Sequence, residues 1–429
     1  MKVTIEQLYA IYLDHSKIST DSRQIENGCL FFALKGDNFD GNQYARGVLD
    51  SGAAYAVIDN EEFAADRMLV VDDVLLALQQ LALMHRRKFN IPVLAVTGSN
   101  GKTTTKELMN AVLSRKYSVT ATKGNLNNHI GVPLTLLGIS NETQLSIIEM
   151  GANHQGEIAG LCTIAEPTHG LITNIGRAHL GGFGGFEGVI KAKSELYAWL
   201  RKSGGKSFVN ADNQLLMELT AGMERVLYGS HGDISVLGHA RQYTELLYID
   251  WESPVGTIAL DTNLVGNYNF ENVMAAVCTG LFFNVPSHGI KEAINHYTPS
   301  NSRSQAMKTQ RNSIILDAYN ANPTSMKVAI ENFRNVKAQS KMVILGDMLE
   351  LGEESLAEHE GIVKLVEESG FDDVVLVGPD FVSAAGGRFI CFENSVLACK
   401  WLADQNITNF AILVKGSRGI KMEKVLDAL

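Results

Sequence analysis

The stretch Thr97-Gly98-Ser99-Asn100-Gly101-Lys102-Thr103, continued by Thr104 and Thr105, has the residue types of a phosphate-binding loop. The apolar run Val93-Leu94-Ala95-Val96 before it reads as a buried strand, and the residues from Lys102 onward read as a helix. Strand, tight loop and helix are the setting such a loop requires. Small residues let backbone N–H groups close on phosphate oxygens, and the new helix points its positive end at the same anion. Lys102 is expected at the β- and γ-phosphates of ATP, and the Thr103 hydroxyl on Mg²⁺. The spacing is a variant, because Val96 stands five residues before Gly101 and Gly98 stands three before it.

Kinases, motors, switches and ligases all use such a loop, so other polar groups at strand ends must decide the reaction. Glu149 closes the apolar run Leu145-Ser146-Ile147-Ile148, a place suited to a metal or an attacking group, or equally to a solvated strand end. His179 follows the strand-like LITNIG. It precedes the glycine cluster Gly181-Gly182-Phe183-Gly184-Gly185, which reads as a flexible loop. Lys191 and Lys193 lie on the next helical stretch, where a solvated lysine is the ordinary reading.

The elements that must position these groups fall into three segments. Residues 1–88 mix short strands (CLFFAL, AAYAVID, RMLVVDD) with helical stretches, and the helix Leu75–Lys88 leads into the hinge Asn90-Ile91-Pro92. Residues 89–297 alternate the apolar runs VLAVTG, SIIEMG and GLITNIG with the helical KTTTKELMNAVLSRKY and VIKAKSELYAWLRKSG. That alternation predicts a parallel sheet covered on both faces. Near 227–266, in YTELLYIDWESPVGTIAL and its surroundings, the pattern turns to short strands, a small β-rich excursion. Residues 298–429 alternate again through SIILDAY, MVILGDM, DVVLVG, RFICF and FAILVKG, which predicts a second doubly wound sheet.

Length and composition agree with this division. A chain of 429 residues has room for roughly three domains. A hydrophobic fraction of 45% and a charged fraction of 20% exclude a disordered chain and a small disulfide scaffold. With 37 Lys+Arg against 47 Asp+Glu, the net charge of −10 speaks against non-specific nucleic-acid binding. The five cysteines form no C-x-x-C pair and fit a reducing compartment. The N-terminal MKVTIEQLYAIYL, with Glu6 and Gln7 inside its apolar run, reads as an amphipathic helix of a folded domain, not a signal peptide. No run reaches 18 apolar residues, so no membrane span is expected and the expected location is the cytoplasm.

Taken in order, TGSNGKTTTKE, NLNNHIGVPLTLL, IIEMGANHQGEI, ITNIGRAHLGGFG, DAYNANPTSM, LGDMLELGEES and VKGSRG resemble the Mur ligases of peptidoglycan synthesis. The resemblance runs from about residue 18 to about residue 425. It implies a three-domain α/β architecture: a UDP-sugar domain, a central phosphate-loop ATPase domain with a parallel sheet, and a Rossmann-like C-terminal domain. The YNANP and GDMLELG segments point to the branch that joins D-alanyl-D-alanine to UDP-N-acetylmuramoyl-tripeptide. A sibling ligase that adds a single amino acid is the alternative. The implied chemistry uses ATP and Mg²⁺ and runs through an acyl phosphate. The family also implies a monomer, and the acidic charge already argues for no nucleic-acid partner.

Residue by residue, the resemblance implies that Glu149 and His179 are Mg²⁺ ligands. Lys193 corresponds to a lysine that the family carbamylates with CO₂. Gly266-Asn267-Tyr268-Asn269-Phe270-Glu271-Asn272 is similar to the family's adenine segment, with Tyr268 where His is usual. Asn269 and Asn272 are retained there. Arg303 and Asp317 resemble residues that reach the γ-phosphate and the ribose, with Ser302 in place of the usual Gly before the arginine. Ser19-Thr20-Asp21-Ser22-Arg23 matches the segment that holds the uridine diphosphate. Asn125, Asn127 and Asn128 match a segment facing the muramoyl-peptide. Tyr319, Asn320, Asn322 and Lys415-Gly416-Ser417-Arg418 match regions near the amine substrate.

Overall fold

The computed structural model describes residues 2–241, 246–299 and 303–429. Ser302 and the opening Tyr243-Thr244-Glu245 of the β-rich stretch lie outside the described residues. Two compact units emerge: Met1–Ala95 with Tyr117–Gly151 and Glu157–His169, and Val96–Lys116 with Ala152–Gly156 and Gly170–Leu429.

In the first unit the N-terminal helix is Ile5–Asp14, as its amphipathic pattern predicts. A capping box starts it: the Gln7 N–H donates to the Thr4 side chain, and the Thr4 N–H donates to the Gln7 side chain. Leu8 and Tyr12 are its buried face. Strands Ile18–Ser19, Leu30–Phe32, Tyr55–Ile58 and Met68–Val70 form a parallel four-stranded sheet in that spatial order. Phe31, Ala33, Val48 and Ile58 lie in its core. The helix Val74–Arg86 is capped by Asp73, whose carboxylate accepts the Leu76 N–H at 2.7 Å. Strands Val119–Ala121 and Leu145–Glu149 pair in parallel, the second buried at every residue up to Glu149.

The strand Val93–Thr97 is buried throughout and ends where the second unit begins. In that unit Gly101 stands at the start of the helix Lys102–Leu113. Its sheet continues through strands His169–Ile172, Lys206–Asn210, Arg225–Gly229, Val236–Ala240, Leu246–Ser253 and Gly256–Val265, neighbours in that order. The pairings from Lys206–Asn210 to Val236–Ala240 are parallel, and the last two are antiparallel. The β-rich stretch is therefore the extended edge of this sheet. Trp251, fully buried on it, contributes on the order of 2 kcal/mol of apolar burial.

The glycine cluster corrects the expectation of a loop. Leu180–Phe183 is helical, with Leu180 and Phe183 buried, and only Gly184 and Gly185 break the chain at positive φ before the helix Phe186–Ser203. Apolar anchoring on both sides of the glycines outweighs their entropy cost.

The third sheet runs Gln305–Lys308, Ser313–Asp317, Phe410–Lys415, Ser340–Gly346, Asp373–Val377, Ile390–Phe392. The last five strands are parallel and the first is an antiparallel edge. Apolar side chains alternate to both faces: Val343, Leu345 and Leu376 pack on one side, Met342, Ile344 and Val375 on the other. This is the second doubly wound sheet the pattern predicts.

Candidate functional site

The phosphate loop is built by two left-handed glycines and a second strand end. Gly98 (φ 143°) and Gly101 (φ 79°) turn the chain from the Val93–Thr97 strand into the helix. A Cβ on Gly98 would lie 2.0 Å from Thr173 Oγ1, and one on Gly101 would lie 2.5 Å from Asn272 Oδ1. The end of the neighbouring strand clamps the loop. The Ser99 N–H donates to Asn174 O (2.9 Å), the Asn100 N–H to Asn174 Oδ1 (3.0 Å), and Thr173 Oγ1 donates to Asn100 O (2.6 Å). Ser99 Oγ donates to Gly176 O (3.0 Å). Lys102 Nζ donates to Gly98 O (2.8 Å) and Ser99 O (3.2 Å), so the ammonium sits over the loop. Thr103 is buried at the first turn of the helix and Thr104 is half-buried beside it.

Asn269 and Asn272 stand directly behind this loop. Asn272 Oδ1 accepts from Thr105 Oγ1 (2.9 Å), and Asn272 Nδ2 donates to Asn269 Oδ1 (2.8 Å). Asn269 Nδ2 donates to Val265 O (2.8 Å), so both amides are held by the fold. Tyr268 shares a hydrogen bond with Ser304 Oγ (2.7 Å), and the Ser304 N–H donates to Asp317 Oδ1 (3.2 Å). Lys415 Nζ, buried, donates to Asp317 Oδ2. The tyrosine in the adenine segment is thus joined through Ser304 to the aspartate matched with ribose binding. Glu271, in the first turn of the helix Phe270–Phe282, has its carboxyl pushed up to about 7 by burial, with Asp212 adding to the effect.

The C-terminal loops meet around Tyr319. The Arg303 guanidinium lies 3.6 Å from its ring centroid and that of Arg418 lies 5.3 Å away. Arg303 Nε is buried without a hydrogen-bond partner among the described residues, which suits it to an incoming anion. Asn320 Oδ1 accepts the Ala321 N–H (2.9 Å). Asn322 caps the helix Pro323–Arg334 through Ser325, and its Nδ2 donates to Asn100 Oδ1 of the phosphate loop (2.7 Å). Ser417 is buried: its Oγ donates to Ala321 O (3.2 Å) and accepts the Leu349 N–H (3.0 Å). Its hydroxyl joins three loops and is turned away from solvent.

His179 (φ 53°) lies against Glu350 through Nδ1. Lys193 is buried, with Nζ 3.4 Å from Ala152 O and 5.2 Å from the centroid of Phe183. Lys191 is exposed. Within the first unit, Glu149 is buried and accepts from Asn127 Nδ2 (2.9 Å), while its own N–H donates to Thr122 Oγ1 (3.0 Å). Asn128 Oδ1 accepts the Gly131 N–H (2.9 Å), and Asn125 is exposed. In the N-terminal segment Arg23 grips Asp21 with two bonds of 2.8 Å, which hold the Asp21 carboxyl down at about 2. Ser19 Oγ donates to the carbonyls of Asp21 and Gln24 (both 3.0 Å). Thr20 and Ser22 are half-buried beside them.

The Thr103 hydroxyl and the Glu149 carboxylate are each of the oxygen donor type that Mg²⁺ takes. Among the described residues no three His, Cys, Asp or Glu side chains converge as a metal cluster. Also among the described residues, no helix is long and apolar enough to cross a membrane.

Sequence reasoning passed over Thr173 and Asn174, the clamp of the phosphate loop. Their signal was available, since both follow the apolar run at the carboxyl end of a strand. It also passed over Arg177 and Glu350, whose partners are more than 150 positions away in sequence.

Family models match along the chain: "Mur ligase family, catalytic domain" over residues 15–96, "Mur ligase middle domain" over 96–280, and "Mur ligase, glutamate ligase domain" over 302–418. The UDP-N-acetylmuramoyl-tripeptide–D-alanyl-D-alanine ligase of Bacillus subtilis is 33% identical over 96% of this chain and 92% of its own length. That of Escherichia coli is 34% identical over 96% and 93%. Among solved structures, MurF from Acinetobacter baumannii superposes with a TM-score of 0.87 at 33% identity, covering 96% of this chain and 92% of that one. MurF from Thermotoga maritima, in complex with ADP, gives 0.85 at 26% identity, covering 96% of both chains. With relatives of this identity along almost its whole length, the chain belongs to the Mur ligase family and groups there with the MurF ligases.

Proposed function

We propose that this protein joins D-alanyl-D-alanine to the terminal carboxylate of UDP-N-acetylmuramoyl-tripeptide, using ATP, to give the pentapeptide precursor of peptidoglycan. The observation that carries this is similarity to such ligases over 96% of the chain, together with a phosphate loop in strand–loop–helix context. We divide the chain for this purpose into a sugar-nucleotide domain (1–88), an ATP domain (89–297) and a closing domain (298–429). The reading includes a monomeric, cytoplasmic enzyme.

The carboxylate of the tripeptide attacks the γ-phosphorus of ATP, forming an acyl phosphate and releasing ADP. The amine of the dipeptide then attacks the acyl carbon, phosphate leaves with the C–O bond electrons, and the amine gives up a proton. Two anions must first meet, so the site has to concentrate positive charge. Lys102 over the loop and the backbone N–H groups of Gly101, Lys102 and Thr103 supply it at the β- and γ-phosphates. Arg303, with its buried unpartnered Nε, is suited to the transferring phosphoryl group. Asn269, Asn272 and Asp317 hold adenine and ribose, and Thr97, Ser99, Asn100 and Thr104 shape the loop. Asp21, Arg23 and their neighbours Ser19, Thr20 and Ser22 take the uridine diphosphate, the guanidinium suiting a pyrophosphate. Asn125, Asn127 and Asn128 face the muramoyl-peptide. Tyr319, Asn320, Asn322, Lys415 and Arg418 face the dipeptide, with Ser417 holding their loops together. Thr103, Glu149, His179 and a carbamate on Lys193 would hold Mg²⁺. Such an ion supplies charge neutralisation at the phosphates.

The test is phosphate release from Mg-ATP with mass spectrometry of the product. Each of UDP-N-acetylmuramoyl-tripeptide and D-alanyl-D-alanine is left out in turn, and the tripeptide carries either diaminopimelate or lysine. Release only with both, and a pentapeptide product, is expected. Release with a single amino acid and a shorter muramoyl-peptide would move the protein to a sibling ligase, and no release with any pair would overturn ligation.

A further inference from the structure

The LGDMLELGEES segment helped to place the chain in its family, yet no role in the reaction above falls to it. In the fold its acidic side chains reach the loop that carries His179. Glu350 Oε2 lies against His179 Nδ1. Arg177, two residues before the histidine, pairs with Glu354 of the segment and donates from Nε to Oε1 of Glu358, which lies beyond it in the following helix, at 2.7 Å. The backbones meet as well: a Cβ on Gly352 would lie 3.3 Å from Gly181 Cα. Both members of the central pair are left-handed residues other than glycine, His179 at φ 53° and Glu350 at φ 66°. Glycine is the easy residue at such a φ, so a glutamate there is held for its side chain.

We propose that Glu350 is a positioning residue for His179. An imidazole carries its proton on one of two nitrogens, and the partner of one decides what the other can do. A carboxylate against Nδ1 keeps the proton on that nitrogen. It leaves the Nε2 lone pair free to face Mg²⁺ or a phosphate-bound water. Arg177, fixed by Glu354 and Glu358, sets the position of the loop, and Glu350 sets the ring. The inference rests on the reading of His179 as a Mg²⁺ ligand. Partners of this kind change metal affinity by about 10–100-fold when removed.

The experiment has one arm that needs neither substrate nor metal. Nitrogen-edited NMR of the full chain with labelled histidine reads the tautomer of each ring, and the His179 signal is identified by its loss in His179→Gln. The Nδ1–H tautomer is expected in the parent chain and a shift toward Nε2–H in Glu350→Ala. The second arm is the Mg²⁺ concentration for half-maximal ligation. It is expected to rise about tenfold in Glu350→Ala, with kcat at saturating Mg²⁺ largely kept. Glu350→Gly separates this from folding: its melting temperature should be no lower than the parent's, while its Mg²⁺ requirement rises as in Glu350→Ala. An Nε2–H tautomer in the parent, or a tautomer unmoved in Glu350→Ala, would overturn the proposal even if no ligase activity were found. An unchanged Mg²⁺ requirement in an active Glu350→Ala enzyme would overturn it too.

Discussion

Gly98→Ala places a methyl group directly into the clamp of the phosphate loop. At φ 143° an alanine is strained, which costs about 1–3 kcal/mol. Its Cβ would sit 2.0 Å from Thr173 Oγ1 and 3.0 Å from the Asn174 carbonyl oxygen. Relief requires Thr173 to turn away, which breaks its 2.6 Å bond to Asn100 O and loosens the clamp. Crowding of this sort adds about 1–3 kcal/mol. If about 3 kcal/mol of the total falls on the closed loop, affinity for a non-hydrolysable ATP analogue drops roughly 10²-fold. Calorimetric titration measures this directly. The double variant Gly98→Ala with Thr173→Ala removes the nearest clashing atom and should regain about tenfold over Gly98→Ala, a positive coupling between the two positions. Gly98→Ala binding within threefold of the parent, or no coupling with Thr173→Ala, would refute the account of the loop as a cradle sized by Thr173.

Lys102→Ala should lower turnover by roughly 10² or more, because it removes a cation at developing charge, and stopped-assay kinetics with near-normal kcat would sink the assignment. Lys193→Ala should lose activity that short carboxylic acids partly restore, the added carboxylate standing in for the carbamate; full activity of the parent in CO₂-depleted buffer would remove that idea. Glu271 gives a pH prediction. Its carboxyl sits at about 7 in the folded chain against an ordinary 4.5, so between those values the folded chain holds more protons than the unfolded one. Stability then falls as pH rises through that window, and the full penalty is present above about 7. Glu271→Gln should raise the unfolding free energy at pH 8 by an amount on the order of 1–3 kcal/mol, but not at pH 4.5, and denaturant titration at the two pH values measures this. Equal gains at both pH values would count against a charged buried carboxylate.

Local chemistry made much of the molecule legible in the sequence. The phosphate loop was readable because glycines at forced φ, a lysine and a threonine must follow a strand and open a helix. The apolar runs ending in Gly or an acidic residue marked strands, and the helices beside them start at Val74, Lys102 and Phe186, within three residues of the expected Leu75, Lys102 and Val189. The glycine cluster misled, because a helical turn there depends on burial of Leu180 and Phe183, which composition cannot express. Pairings across long separations were decided only by the tertiary structure. Asn322 reaching Asn100, Ser417 tying three loops, Thr173 and Asn174 clamping Ser99 and Asn100, and Glu350 meeting His179 all join residues at least 68 positions apart. A sequence fixes which groups are available and how the backbone near them bends. Which distant group fills a hydrogen bond or sets a proton depends on how the sheets stack their strand ends, and that is a property of packing.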